Sequence, residues 1–176
     1  MKLVVFDDVY VPAEDSHLLS RALDKESGSF LDVGCGSGFI GIRQALKGNS
    51  VDCIYISLIA VKNACWNGLL NNVDIRAYYS DLFSNVRGGY DVIAFNSPYL
   101  SRETEKGDVA TEDNGVVGRF IEECGNYLNK GGRAYIVVST ENENYEKYIG
   151  MMDGWEVVGK KELFFERVEV WRKIKG

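Results

Sequence analysis

A chain of 176 residues with 45% apolar content is long enough for one buried core, and its net charge of −6 speaks against a protein that grips nucleic acid through a continuous basic face. No apolar run approaches the roughly 20 residues that span a bilayer, and the start Met1-Lys2-Leu3-Val4-Val5-Phe6-Asp7-Asp8 is too short for a secretion signal, so a cytoplasmic protein is expected. Four cysteines without C-x-x-C spacing and one histidine, His17, offer neither a zinc site nor a Cys/His nucleophile pair, and the thiols are expected to be reduced.

Pro12 with Glu14 and Asp15 opens a first predicted helix, with an apolar stripe of Leu18, Leu19, Ala22 and Leu23, that ends before Gly28. His17 is a structural residue of that helix. Phe30-Leu31-Asp32-Val33 reads as a strand running into Gly34-Cys35-Gly36-Ser37-Gly38, and Phe39, Ile40, Ile42 and Leu46 then recur at helical spacing. Such glycines let backbone approach a ligand, and the helix start beyond them favours negative charge. Asp32 is placed to accept a hydrogen bond from a ligand amine or hydroxyl, and Cys35 is a small packing residue. Residues 36–41 also satisfy G-x-G-x-x-G, which makes a nicotinamide or flavin enzyme the rival reading.

A second strand over 51–56 precedes a helix whose predicted inner stripe is Leu58, Val61, Ala64, Cys65 and Leu69, broken by Asn71-Asn72. The third strand is Ile75–Tyr79, and Gly88-Gly89 lead into a fourth over 91–95. Residues 101–115 are polar and acidic and read as a long functional loop. Val116, Val117, Phe120, Ile121, Cys124, Tyr127 and Leu128 then trace a helix stopped by Gly131-Gly132. A fifth strand over 133–138, a short helix over 141–152 and an antiparallel pair over 155–160 and 163–172 complete the chain. Lys160-Lys161 with Arg172-Lys173-Lys175 is the one basic concentration, explained by a solvated hairpin surface. The alternation predicts one domain, 1–176, of the α/β class: a Rossmann-like, mostly parallel seven-stranded sheet with a C-terminal antiparallel hairpin. Ligands in such sheets lie beyond the strands' carboxyl ends, where Asp32, Asp81 and Asn96 all fall.

Asn96-Ser97-Pro98-Tyr99 follows the apolar run 92–95 and combines groups that hold a planar NH2. An Asn side-chain oxygen and the next backbone carbonyl each accept one N–H, Pro98 fixes the turn, and Tyr99 covers the flat face. Ordinary turn chemistry explains the tetrapeptide taken alone.

Together, Asp-Val-Gly-Cys-Gly-Ser-Gly at 32–38, Asp81-Leu82-Phe83 after the third strand and Asn-Ser-Pro-Tyr at 96–99 resemble the class I methyltransferases that use S-adenosylmethionine and carry an (Asn/Asp)-Pro-Pro-Tyr motif. Val9-Tyr10-Val11-Pro12-Ala13-Glu14-Asp15-Ser16 is similar to the Tyr-x-Pro-Ala-Glu-Asp-Thr stretch of the eukaryotic and archaeal HemK-like glutamine methyltransferases, which modify the Gly-Gly-Gln glutamine of class I release factors. The similarity extends through residues 163–170. It implies that Ser16, Asp32, Gly34, Cys35, Gly36, Tyr55, Asp81, Leu82 and Asn96 surround the cofactor, that Asn96, Ser97, Pro98 and Tyr99 are catalytic, and that a small zinc-binding activator subunit pairs with the chain. The third strand, read as an exposed sheet edge, is where such a partner would add.

Two positions depart from the family pattern. The acid that holds the cofactor ribose is missing at the end of the second strand, where Tyr55-Ile56-Ser57-Leu58 stands, so Tyr55 or Ser57 is left to meet the ribose hydroxyls. Ser97 replaces the first proline of the catalytic motif, which keeps the carbonyl and loses rigidity. The expected activity is protein N5-glutamine methylation. The alternatives are methylation of an adenine N6 or guanine N2 amino group in nucleic acid, and a degenerate methyltransferase fold that serves as a binding scaffold.

Overall fold

The computed structural model describes residues 1–98, 115–164 and 166–176. In chain order its elements are α1 (Glu14–Ala22), β1 (Ser29–Val33), α2 (Phe39–Ala45), β2 (Ser50–Tyr55), α3 (Leu58–Leu70), β3 (Ile75–Tyr79) and β4 (Tyr90–Asn96). After the undescribed segment come α4 (Val116–Glu123), a 3₁₀ turn (Cys124–Tyr127), β5 (Leu128–Ser139), α5 (Tyr145–Met151), β6 (Trp155–Glu162) and β7 (Arg167–Ile174). The predicted acidic loop over 101–115 lies, apart from Gly115, outside the described residues, as does Tyr99.

The strands form one seven-stranded sheet in the order β3-β2-β1-β4-β5-β7-β6. All neighbours are parallel except β7, which runs antiparallel to both β5 and β6. β1 pairs with both β2 and β4, so the strand order reverses beside it and opens a crevice at its carboxyl end. Side chains alternate across the sheet. Leu31, Val33, Ile93, Phe95, Ile136 and Val138 face one core with Phe120 of α4 and Tyr148 of α5, whereas Phe30, Val92, Ala94, Tyr135 and Val137 face the other with Leu19 of α1 and Ile40 of α2.

Four sequence expectations need correction. The α4 helix ends at Glu123, and Gly131-Gly132 lie within β5 instead of stopping a helix. There the β4–β5 register shifts between Tyr90 and Val92, Gly131 has φ 73°, and a Cβ on Gly132 would stand 2.9 Å from the Tyr90 carbonyl, so the glycines serve an irregular strand. The inner face of α3 carries Ala60, Val61, Asn63, Ala64, Asn67 and Gly68, while Leu58, Cys65 and Leu69 of the predicted stripe are exposed. The last helix is shorter than predicted, and the hairpin turn moves to residues 163–166.

Val61 and Ala64 face inward as predicted; the buried Asn63 and Asn67, with Asn71 at the helix end, explain the rest of the α3 inner face. Lys2 and Asn71, Val4 and Asn67, and Phe6 and Asn63 are joined by backbone N–H bonds to the amide oxygens at 2.7, 2.9 and 2.9 Å. Asn71 donates back to the Lys2 carbonyl, and Asn63 and Asn67 both donate to that of Val4. Four helical residues rise about 6 Å and two extended residues about 6.6 Å, so every fourth side chain of α3 meets every second peptide of the N-terminal segment. Asn67 also donates to the Ser37 carbonyl at 2.9 Å, tying this segment to the glycine loop.

Candidate active site

The loop between β1 and α2 turns tightly because Gly34, Gly36 and Gly38 all have positive φ, 65°, 51° and 81°. At Gly36 a Cβ would meet no protein atom nearer than Val9 Cγ1 at 4.0 Å, so the space over this glycine belongs to the cavity. Farther along, Gly41 brings α2 close to the sheet, where its N–H donates to Asp32 Oδ2 at 2.9 Å.

A cavity of about 330 Å³ opens at the carboxyl ends of β1, β2 and β4. It is of the size that holds a small ligand or cofactor. All of the expected cofactor residues line it: Ser16, Asp32, Gly34, Cys35, Gly36, Tyr55, Asp81, Leu82 and Asn96. Ser97 and Pro98 line it too, and Tyr99 lies outside the described residues. Tyr10, Asp15 and Arg119 join them without having been singled out for the site. The first two sit inside the Tyr-Val-Pro-Ala-Glu-Asp-Ser stretch, which was the available signal; Arg119 carried none.

Asp32 is 2% exposed, and burial pushes its carboxyl up to about 7 despite the Gly41 N–H that favours ionisation. Beneath the loop, the neighbouring Cys35 thiol and burial both push the Cys53 thiol up, which keeps that thiol protonated. Asp81 is half exposed and pairs with Arg119 of α4 at 3.1 Å. Leu82 follows it at φ 44° and is buried against the cavity wall. His17 stays structural, its ring set edge-on to Phe39 at 5.1 Å.

Two side chains act differently from expectation. Ser57 does not line the cavity: it caps α3, its Oγ accepting from the Ala60 N–H at 3.5 Å, so of the two ribose candidates only Tyr55 faces the site. Ser16 lines the site, but its hydroxyl donates to Asp15 Oδ1 and accepts from Asn96 Nδ2. The serine at position 97 has its own anchor, donating through Oγ to the Val137 carbonyl of β5. That bond restores some of the rigidity a proline would supply. Asn96 donates through Nδ2 to Asp15 and Ser16, and its Oδ1 is buried with no partner among the described residues. Such an oxygen costs about 1–3 kcal/mol unless a ligand completes it.

Charge narrows the ligand. Among the described lining residues, Asp15 and Asp81 contribute carboxylates, Asp32 a carboxyl that burial pushes up to about 7, and Arg119 the one guanidinium, already paired with Asp81. A dinucleotide pyrophosphate would meet repulsion there, whereas a ligand with an ammonium and a sulfonium is matched. The glycine cradle, the buried acceptors and this charge fit S-adenosylmethionine.

A family model described as "Methyltransferase small domain" matches residues 12–165. A Methanocaldococcus jannaschii protein described as "Putative protein N5-glutamine methyltransferase" is 40% identical over 189 residues, which cover 98% of this chain and 96% of that protein. A "Release factor glutamine methyltransferase" of Rhodopirellula baltica is 30% identical and covers 90% of this chain, but the match spans 62% of its own length. The "Ribosomal RNA small subunit methyltransferase C" of Hahella chejuensis is 30% identical over 72% of this chain and only 36% of its own length. Among solved structures, a Pyrococcus furiosus methyltransferase superposes with a TM-score of 0.76 at 19% identity, covering 99% of this chain and 88% of its own. A T. thermophilus 16S rRNA N2 G1207 methyltransferase, solved with AdoMet and guanosine, gives 0.75 at 20% identity, covering 98% and 45%. These two likenesses establish the fold. With the family match across most of its length, this chain belongs to the Methyltransferase small domain family and is a methyltransferase that takes its methyl group from S-adenosylmethionine.

Proposed function

We propose that this chain methylates the side-chain amide nitrogen of a glutamine in a protein, the Gly-Gly-Gln glutamine of a class I release factor being the substrate. The observation that carries this reading is Asn96, which lines the same cavity as the glycine loop and whose buried Oδ1 has no partner among the described residues. The names of the Methanocaldococcus and Rhodopirellula relatives support the same acceptor.

Gly34, Cys35 and Gly36 hold the methionine end of the cofactor, Asp32 accepts from it, and Asp81 with Leu82 meets the adenine. Tyr55 stands where the ribose-binding acid is missing. Bound S-adenosylmethionine supplies an electrophilic methyl group. Asn96 Oδ1 and the Ser97 carbonyl each accept one N–H of the substrate amide, which fixes the nitrogen and removes much of the entropic barrier. Positive charge developing on that nitrogen is stabilised by the same two acceptors, and a proton leaves it afterwards. Pro98 holds the turn that carries them.

A nucleic-acid amino group is the second reading, favoured by the Hahella relative. Against it, the basic hairpin is partly neutralised: Lys161 pairs with Glu14 and Arg172 with Glu156. The test offers S-adenosylmethionine with a release factor and, separately, with 16S rRNA, and maps the methyl group by mass spectrometry. Methylation of the glutamine is expected. Methyl transfer to rRNA alone overturns the protein substrate, and the absence of calorimetric binding at millimolar cofactor favours a scaffold. Asn96→Ala should lower turnover about 10²-fold with cofactor binding retained; turnover within about threefold of wild type removes Asn96 from catalysis.

The partner is a small zinc-binding activator subunit on the edge strand β3. Support comes from β3 lying at the sheet edge with Tyr79 exposed, beside an α3 face that displays Leu58, Ile59, Trp66 and Leu69. Arg76, bridged to Asp52 and stacked over Tyr78, protects part of that edge. Higher solubility on co-expression and a heterodimer on gel filtration are expected; a freely soluble monomer with full activity and no complex refutes the partner.

A further inference from the structure

The Asn96 amide is gripped on one side only. Nδ2 donates to Asp15 Oδ2 at 2.9 Å and to Ser16 Oγ at 3.1 Å. Asp15 is itself held: Oδ1 accepts the Ser16 N–H at 2.6 Å and the Ser16 hydroxyl at 3.2 Å, and the Tyr10 hydroxyl lies 3.0 Å from both carboxylate oxygens. The residue is 2% exposed, so water does not compete for these bonds.

A carboxylate only accepts, whereas an amide has one accepting and one donating end. Were the Asn96 amide turned over, Oδ1 would face Asp15 Oδ2 at 2.9 Å with no proton between two acceptors. Asp15 thereby selects one of two orientations, the one that turns Oδ1 away from the carboxylate and leaves it without a partner among the described residues, on a side chain that lines the cavity. The opposite orientation would aim an N–H at the nitrogen whose lone pair must attack. The first turn of α1 accounts for Oδ1 of Asp15, which accepts the Ser16 N–H, but not for Oδ2, which reaches across 81 residues of sequence to β4.

We infer that Asp15 is a positioning residue that locks the Asn96 amide with Oδ1 toward the methyl-accepting NH2. The inference rests on reading Asn96 as that acceptor. Tyr10 holds the carboxylate in turn, and the N-terminal segment docked on α3 delivers Tyr10 to it.

Three variants and one spectrum test this. Asp15→Asn should lower kcat about tenfold or more, with the folded state retained by circular dichroism. Asn96→Asp sets two carboxylates against each other and should also be impaired. The double variant Asp15→Asn/Asn96→Asp reverses the donor and acceptor across the contact while keeping an acceptor oxygen toward the substrate. It should exceed either single variant by roughly fivefold or more. A purely structural role predicts a double variant no better than the weaker single one, and that result overturns the lock, as does Asp15→Asn with kcat within about twofold of wild type. The Asn96 side-chain NH2 resonances, assigned by their loss in Asn96→Asp, give a readout without an acceptor substrate. Solvent exchange slowed in wild type and restored in Asp15→Asn supports the lock, and rapid exchange in wild type overturns it. If wild type methylates no glutamine, the proposed activity falls while this spectrum still decides the position of the amide.

Discussion

Gly41 is where α2 lies closest to the sheet, and Gly41→Ala is expected to destabilise the protein although alanine is the better helix former. An added Cβ would stand 2.4 Å from Cys53 Sγ and 3.2 Å from both Asp32 Oδ2 and Val51 Cγ1. Cys53 is fully buried, so relief requires a strained thiol rotamer or a shift of α2 away from β2 by about 1 Å, given ordinary contacts of about 3.5–4.0 Å. Overpacking of this kind costs about 1–3 kcal/mol, against about 0.5–1 kcal/mol gained from helix propensity. The net loss is about 1 kcal/mol, within a range of about 0–2.5 kcal/mol, and a shift of α2 would also loosen the Gly41 N–H bond to Asp32. Urea unfolding followed by tryptophan fluorescence measures it as a lower midpoint at unchanged slope. In a Cys53→Ala background, which lacks the obstructing sulfur, the penalty should shrink to within about 0.5 kcal/mol. A Gly41→Ala protein as stable as wild type, or a penalty unchanged in that background, refutes the close approach.

The raised Asp32 carboxyl sets a pH dependence. Its folded value of about 7 lies above the ordinary 3.8, so the folded state keeps the proton where the unfolded chain has lost it. Its contribution is complete below about pH 4 and is lost as pH rises to about 7; the stability difference between wild type and Asp32→Asn should follow that window, and a flat difference is the contrary result. Tyr55→Asp should tighten S-adenosylmethionine by about 1–3 kcal/mol through bonds to the ribose, measured by calorimetry; unchanged affinity means that the ribose is held elsewhere. Asn67→Ala removes the partner of the Val4 N–H and of the Ser37 carbonyl and should cost about 1–3 kcal/mol. Hydrogen exchange should show the Val4 amide opening faster than in wild type, and unchanged protection counts against the asparagine ladder.

Elements whose partners are other elements of the sheet were legible in the sequence. Strands β1 and β4 are apolar on both faces because helices cover both, and the residues that end them fall in the cavity because parallel strands deliver their carboxyl ends to one edge. The pattern of α3 was misread because its inner face meets an extended chain whose peptides need hydrogen-bond partners. Asn63 and Asn67 are polar yet turn inward, and Leu58 and Leu69 are apolar yet face outward, so a rule that buries apolar residues finds Val61 and Ala64 and misplaces the rest. Gly131 and Gly132 were misread for a related reason: glycine marks a break in regular backbone, and only the pairing register tells a helix end from a strand irregularity. Asp15 looked like an ordinary acidic residue at a helix start, which is half of its role. The bond from its second oxygen to Asn96 is non-local and has no signature in sequence spacing.

Charge connects the composition to the chemistry. The G-x-G-x-x-G match at 36–41 is shared by enzymes that bind a pyrophosphate and enzymes that bind a sulfonium amino acid, and glycine geometry alone does not separate them. The carboxylates of Asp15 and Asp81 do, because a site whose described lining holds one guanidinium, already paired, repels phosphate and favours a cationic donor. The same field suits the proposed acceptor. A glutamine amide enters neutral, and the transition state places positive charge on its nitrogen, so acceptors and carboxylates interact more favourably with that state than with the ground state. A nucleotide would bring phosphates toward these groups and need a basic face to offset them, and the basic residues of the hairpin are partly committed to Glu14 and Glu156. The net charge of −6 and the polarity of the cavity therefore point to one substrate class: a neutral amide presented by a protein.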